Sequence, residues 1–221
     1  MRTRLGIFGG AFNPPHHGHL RPALEAMEQL ALEAVFFLPS GHHPFKGADR
    51  LAPVAHRLAM TRLAIQEQSG FELCELDASR SGVAYTIDTL RILAERFPLG
   101  ELYFLMGSDL LAEMHLWKAW QAFIELAHIC PLVRAGHEDT ARMESPALTF
   151  WNRFRVEQPA MLDRQRLGHF GFCLLPVTAL GISSTHLRHR LARGESIRYL
   201  TPDAVVTYIQ HHTLYGNHDQ T

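Results

Sequence analysis

Cysteine is scarce in this chain and poorly placed for cross-linking: Cys74, Cys130 and Cys173 are odd in number and far apart. They form neither a CxxC metal pair nor a disulfide framework, which fits a reducing compartment. Long apolar runs are missing as well. No stretch approaches the roughly 20 apolar residues of a membrane span, and the short run Leu5–Phe8 meets glycine and proline before a signal-peptide core can form. The expectation is a cytoplasmic protein without membrane association. Excess charge is also absent. With 21 Lys+Arg against 22 Asp+Glu the formal net charge is -1, so no overall field recruits nucleic acid, and any anion must be held by a local site. Internal repeats, low-complexity tracts and heptads are absent too.

What is present is a globular composition, 47% hydrophobic and 19% charged over 221 residues, enough for one domain spanning 1–221. Short apolar runs alternate with amphipathic stretches, the pattern of βα units around a parallel sheet. Strands are expected at Leu5–Phe8, Ala34–Leu38, Phe71–Leu76, Leu102–Met106, His128–Val133 and Phe170–Leu175. Helices are expected from Gly18 to about Leu32, from Pro53 to Gln68, from Thr86 to Phe97, near Trp120–Leu126, from Ser184 to Arg193, and from Pro202 to His211 with proline in the first turn. The segment 136–168 mixes charge, proline and scattered aromatics, and reads as an irregular excursion. The fold class is α/β, a Rossmann-like doubly wound parallel sheet with helices on both faces.

In such sheets ligands bind beyond the carboxyl ends of the strands, and three polar signatures fall there. Gly9 and Gly10 follow the first strand and let a ligand approach the backbone; the next helix points its positive end at the same place. His16 and His19 share one face there, Gly18 between them leaves room for a phosphate, and both imidazoles can donate hydrogen bonds to phosphoryl oxygens, most strongly when protonated. A glycine-proline turn carrying two surface histidines is the plainer reading in a chain with 15 histidines. A metal pair is another, although no third ligand lies at a recognisable spacing. The second signature is Ile182-Ser-Ser-Thr-His-Leu-Arg188. Ser183, Ser184 and Thr185 resemble an N-cap and first turn offering hydroxyls and free amides, with Arg188 one turn on; capping alone also explains the serines. The third is Gly107-Ser-Asp109, where the carboxylate either takes ribose hydroxyls or caps a helix. Lys46 is a candidate phosphate cation or an ordinary exposed lysine, and Trp117 either stacks on a flat ring or belongs to the core.

Taken together, His16-His-Gly-His19 and Ile182-Ser-Ser-Thr-His-Leu-Arg188 resemble the two signatures of the (H/T)xGH nucleotidyltransferase superfamily. Within it, Gly9-Gly-Ala-Phe-Asn-Pro14, Tyr85-Thr-Ile-Asp-Thr-Leu90, Met106-Gly-Ser-Asp-Leu110 with Trp117, and Gly194-Glu-Ser-Ile-Arg-Tyr-Leu200 make the chain similar to the bacterial nicotinate mononucleotide adenylyltransferase family. Two positions depart from that family: His43-Pro-Phe-Lys46 replaces the usual Pro-Pro-His-Lys, and Ala11 stands where Thr or Ser is usual.

The resemblance implies transfer of AMP from ATP to nicotinate mononucleotide, with Mg²⁺ carried by the ATP phosphates and no metal held by the protein itself. It implies His16, His19 and Arg188 as catalytic groups. ATP would be held by Gly9, Gly10, Phe12, Gly18, Gly107, Asp109, Ser183, Ser184 and Thr185. Lys46, Thr86, Trp117 and Arg134 would lie on the mononucleotide side. Other acceptors, nicotinamide mononucleotide or phosphopantetheine, and a non-catalytic nucleotide sensor are the competing readings; a homo-oligomer is compatible with all of them.

Overall fold

Parallel strands covered on both faces need apolar side chains in both directions, and the buried runs of this sequence meet that need. In the computed structural model, which describes residues 3–41, 51–80, 82–134 and 145–216, six strands form one sheet. They are β1 (Arg4–Gly10), β2 (Ala34–Pro39), β3 (Phe71–Leu73), β4 (Glu101–Gly107), β5 (His128–Arg134) and β6 (Leu175–Val177). Their order is β3-β2-β1-β4-β5-β6, every neighbouring pair parallel. The helices are α1 (His17–Gln29), α2 (Val54–Ile65), α3 (Thr86–Arg96), α4 (Pro146–Trp151), α5 (Arg164–Leu167), α6 (Ser184–Ala192) and α7 (Asp203–His211).

Strand β4 illustrates how sequence becomes two cores. Leu102, Phe104 and Met106 point to one face and meet Ile87, Leu90 and Leu93 of α3 and Trp151 of α4. Tyr103 and Leu105 point to the other, against Ala23 and Ala26 of α1 and Ile65 of α2. The sheet is therefore doubly wound, as the alternation predicts. A third cluster, Met60, Leu187, Ile197, Val205, Val206 and Ile209, joins α2, α6 and α7. That packing fixes α6 to the body of the molecule.

Several expectations are corrected. The last strand is not Phe170–Leu175 but Leu175–Val177, paired in register Leu132↔Leu175. Phe172 makes only an isolated parallel bridge with Ile129 of β5, and its own amide donates to Phe154 O while its carbonyl accepts from Val156 N. Strand β3 is three residues long, shorter than the alternating pattern Phe71–Leu76. The segment near Trp120 is a 3-10 turn, Trp120–Glu125, preceded by two more at Ser108–Leu111 and Met114–Leu116. Pro202 is the N-cap of α7 rather than part of its first turn. The described part of the 136–168 excursion, from Ser145 onward, is irregular but not peripheral, because Trp151 and Leu162 are fully buried. Among the described residues no helix is long and apolar enough to cross a membrane.

Candidate active site

The strand order reverses direction between β1 and β4, and the crevice beyond their carboxyl ends is where open α/β sheets bind ligands. The first motif fills the start of that crevice. A Cβ added at Gly9 would meet nothing within 4 Å, so the backbone there is open to a ligand. Gly10 is bare for a different reason: its Cβ would lie 3.0 Å from the Phe12 ring. Phe12 adopts a left-handed φ of 45°, a strain of roughly 1–2 kcal/mol for a non-glycine residue. Its ring is buried against Phe8, Phe37 and His19. Burial of that ring anchors the turn from below, while the backbone remains above.

His16 is the N-cap of α1, extended at φ -157°, and is 1% exposed. His19 lies one turn on, with its ring stacked on that of His16 at 3.7 Å between centroids. The His16 amide donates to His19 Nδ1 at 3.3 Å. That bond leaves the proton of a neutral His19 on Nε2, so His19 presents a donor there. Among the described residues neither ring nitrogen of His16 has a hydrogen-bond partner. An unpaired buried polar atom costs on the order of 1–3 kcal/mol, and a bound acceptor would satisfy the one ring nitrogen that carries a proton. The His16 pKa is lowered to about 3, first by burial and then by the positive charge of Arg134 and His17. His16 is therefore a neutral donor before ligand arrives, not the protonated one that phosphate binding would favour most.

Gly18 does not face open space. A Cβ there would lie 2.9 Å from His16 Nδ1 and 3.0 Å from the Ile182 carbonyl. Its missing side chain brings α1 against the second motif, and the room it leaves is filled by protein.

The second motif grips the first through hydrogen bonds. Ser183 is the N-cap of α6, its hydroxyl accepting from His186 N, as the sequence suggested. Ser184 Oγ donates to Pro14 O at 2.9 Å, and Arg188 Nη1 donates to Asn13 O at 2.8 Å. Arg188 Nη2 also reaches Thr185 Oγ1 at 3.2 Å. Thr201 adds a bond to Pro15 O at 2.8 Å, and the His17 amide donates to Leu200 O at 3.0 Å. Residues almost two hundred positions downstream thus hold the carbonyls of 13, 14 and 15 in place.

On the other side of Gly9 and Gly10 lies a cleft of about 300 Å³. Leu38, Phe104 and Met106 form its floor, and Thr86 and Trp117 its sides. Thr86 begins α3, so the first amides of that helix have no acceptor inside it. Trp117 packs edge-on against Phe104 with centroids 6.3 Å apart. Two of the four residues expected on the mononucleotide side, Thr86 and Trp117, therefore line one hollow. Asp109 is exposed in the Ser108–Leu111 turn, its carboxylate folded back over Gly107. Arg134 does not line the cleft; at the end of β5 its charge acts on His16 instead. Lys46 lies outside the described residues.

Sequence reasoning missed Asp77, 7% exposed and lining the cleft, where it accepts from the Thr89 hydroxyl and faces Arg80. Burial raises its pKa, and the Thr89 bond and Arg80 oppose that. It also missed Thr201, Arg57 and Tyr215, each bonded to the first motif's loop from a distant segment. No local signal marks them, because their partners come from the tertiary fold. Among the described residues no group of three or more His, Cys, Asp or Glu side chains could hold a metal ion.

The cytidylyltransferase-like family matches residues 7–190. A probable nicotinate-nucleotide adenylyltransferase of Desulfitobacterium hafniense (strain Y51) is 37% identical over 96% of this chain and 95% of its own length. One of the same description from Roseiflexus sp. (strain RS-1) is 40% identical, over 96% and 97%. Among solved structures, Plasmodium falciparum nicotinic acid mononucleotide adenylyltransferase complexed with NaAD superposes with a TM-score of 0.73. At 20% identity, covering 97% of this chain and 98% of that one, it establishes a shared fold. The chain belongs to the cytidylyltransferase-like family, among relatives described as nicotinate-nucleotide adenylyltransferases.

Proposed function

We propose that this member of the cytidylyltransferase-like family transfers AMP from ATP to nicotinate mononucleotide, releasing pyrophosphate and forming nicotinate adenine dinucleotide. The observation that carries the reading is the junction of the two motifs. His16 and His19 head α1, Arg188 and Ser184 are bonded to the same loop, and open backbone at Gly9 leads from them to the cleft of Thr86 and Trp117. The descriptions of the relatives agree with it.

The 5′-phosphate of the acceptor is already an anion at neutral pH, so attack on the α-phosphorus needs no general base. Catalysis then consists of in-line positioning and stabilisation of charge on the transferring phosphoryl group and on the departing pyrophosphate. His16 and His19 donate to the phosphoryl oxygens. Arg188, held by Asn13 and Thr185, supplies fixed positive charge, and the free amides and hydroxyls at the start of α6 receive the β- and γ-phosphates. An arriving polyanion favours the charged form of His16, so binding carries proton uptake below neutral pH. Asp109 takes the adenosine ribose. Mg²⁺ enters as part of the MgATP substrate, coordinated by phosphate oxygens, where it neutralises charge.

The acceptor ring lies against Trp117. Its carboxylate faces the first amides of α3 at Thr86, which offer donors and the positive end of a helix dipole; a carboxamide would require an acceptor as well. The reaction belongs in the cytoplasm and involves no nucleic acid.

The test is pyrophosphate release from ATP with nicotinate mononucleotide, nicotinamide mononucleotide or phosphopantetheine, and with no acceptor. Release with the nicotinate compound alone, or at a rate well above the other two, is expected. Nucleotide binding without release under any condition would establish a sensor, and a preference for phosphopantetheine would displace the acceptor.

A further inference from the structure

Arg57 of α2 is the most deeply buried cation in the described structure that has no acidic partner. It is 2% exposed, and no carboxylate among the described residues forms an ion pair with it, whereas Arg4, Arg21, Arg80 and Arg190 all have one. Its bonds go to neutral carbonyls: Nε donates to Ala52 O at 3.1 Å, and Nη1 donates to Ala11 O at 3.0 Å. Beside it, Tyr215 Oη donates to Asn13 Oδ1 at 2.7 Å, and the same oxygen accepts from Ala52 N at 3.0 Å. An isolated charge taken out of water is costly, and buried charges are ordinarily paired. Burial lowers the Arg57 pKa, yet a guanidinium remains protonated in a protein. The charge is therefore present, and its counter-charge is not.

Its position tells where a counter-charge would come from. Ala11 follows Gly9 and Gly10, and all three line the cleft shared with Thr86 and Trp117. The Arg57 guanidinium is bonded to the Ala11 carbonyl at 3.0 Å, so it holds the end of the turn over which the proposed triphosphate would lie. In surroundings with little water, its field is weakly screened.

We propose that Arg57 is a positioning residue for nucleotide binding, a buried positive charge at the end of the Gly9–Ala11 turn whose counter-ion is the ligand's phosphates. It fixes the turn through the Ala11 carbonyl and attracts polyphosphate without touching it. The inference rests on the adenylyltransferase reading for the identity of the ligand, and it adds to that reading a residue outside both sequence motifs.

The experiment compares the wild type with Arg57→Lys and Arg57→Gln. Both variants lose the planar fork, and only lysine keeps the charge. The readouts are thermal unfolding without ligand and binding of inorganic triphosphate and of adenosine, with ATP KM and kcat alongside. Expected are similar losses of unliganded stability in the two variants, triphosphate binding weakened about tenfold in Arg57→Gln, roughly 1.4 kcal/mol, near-wild-type triphosphate binding in Arg57→Lys, and adenosine binding unchanged in both. If lysine and glutamine weaken triphosphate binding equally, or glutamine leaves it intact, the charge plays no part and the proposal is overturned. Should Arg57→Gln fail to fold, ¹⁵N NMR of the wild-type Arg57 Nε decides. Its resonance is expected to move with triphosphate and not with adenosine; an unmoved resonance overturns the proposal. Pyrophosphate release by the wild type is scored separately, so loss of the enzymatic reading and loss of the Arg57 role remain distinct results.

Discussion

The two halves of the crevice are built by different means. The phosphate half is a short loop, residues 11–17, whose carbonyls and amides are bonded by Arg57, Ser184, Arg188, Thr201 and Leu200, residues from three remote segments. The ring half stands on 3-10 turns at Ser108–Leu111 and Met114–Leu116, which have poorer hydrogen-bond geometry than an α-helix. It shares a core with α3 through Leu111 and Met114 and is tied to it at the surface as well: Lys118 Nζ donates to Asp88 at 2.9 Å and lies over the Tyr85 ring at 4.6 Å. On the proposed reaction, the difference matches what each half would do. Stabilising developing charge requires donors already fixed in place, whereas an aromatic ring is recognised by faces and edges that tolerate small adjustments.

If this division is sound, disturbing the phosphate half costs turnover and disturbing the ring half costs acceptor affinity. The largest effect is expected from His19→Ala, with turnover down on the order of 10²-fold or more and the fold intact by circular dichroism. Near-normal kcat would remove His19 from the mechanism. Next comes Arg188→Lys, which keeps a charge but cannot reach Asn13 O and Thr185 together; kcat/KM for ATP is expected to fall roughly tenfold to thirtyfold. Trp117→Ala should raise KM for the mononucleotide about tenfold, the worth of one stacked ring, with ATP KM unmoved. Equal changes in both KM values would erase the boundary between the halves.

The smallest effect on activity comes with a separate signature in stability against pH, where the two halves have opposite signs. His16 has a folded pKa of about 3 against 6.5 unfolded. Its contribution is complete above pH 6.5 and is lost as pH falls toward 3, at no more than about 1.4 kcal/mol per unit. Asp77 has a raised pKa, so its contribution is present below the usual 3.8 and is lost as pH rises through its folded value. Denaturant unfolding between pH 5 and 7 should show a shallower slope in His16→Gln than in the wild type. Indistinguishable slopes would mean that His16 is not buried neutral in solution.

Much of this was legible in the sequence, for a physical reason. A parallel sheet buried on both faces leaves near-continuous apolar runs, and β1, β2, β4 and β5 were each found within two residues at either end. The motif residues at strand ends were legible because glycines and an N-cap are local necessities. Strand β6 was misplaced because Phe172 and Leu175 are equally apolar and both lie beside β5: the ladder forms at Leu175–Val177, while Phe172 makes an isolated bridge to Ile129 and another to Arg155. The 3-10 turn Trp120–Glu125 was read as an α-helix because its apolar spacing is nearly helical. Arg57, Asp77 and Tyr215 were invisible because what distinguishes them, a carbonyl, a cleft and an asparagine far along the chain, is not written next to them.

Gly18 carries a consequence for motion. Where two elements are separated by packed side chains, they can slide or tilt as rotamers change. Here the missing methyl group lets α1 approach so closely that a Cβ at Gly18 would stand 3.0 Å from the Ile182 carbonyl, which leaves little slack between the two motifs. The two motifs therefore make a stiff frame. On the proposed reaction, any closing around substrate is expected from the other side of the crevice, the short turns that carry Asp109 and Trp117.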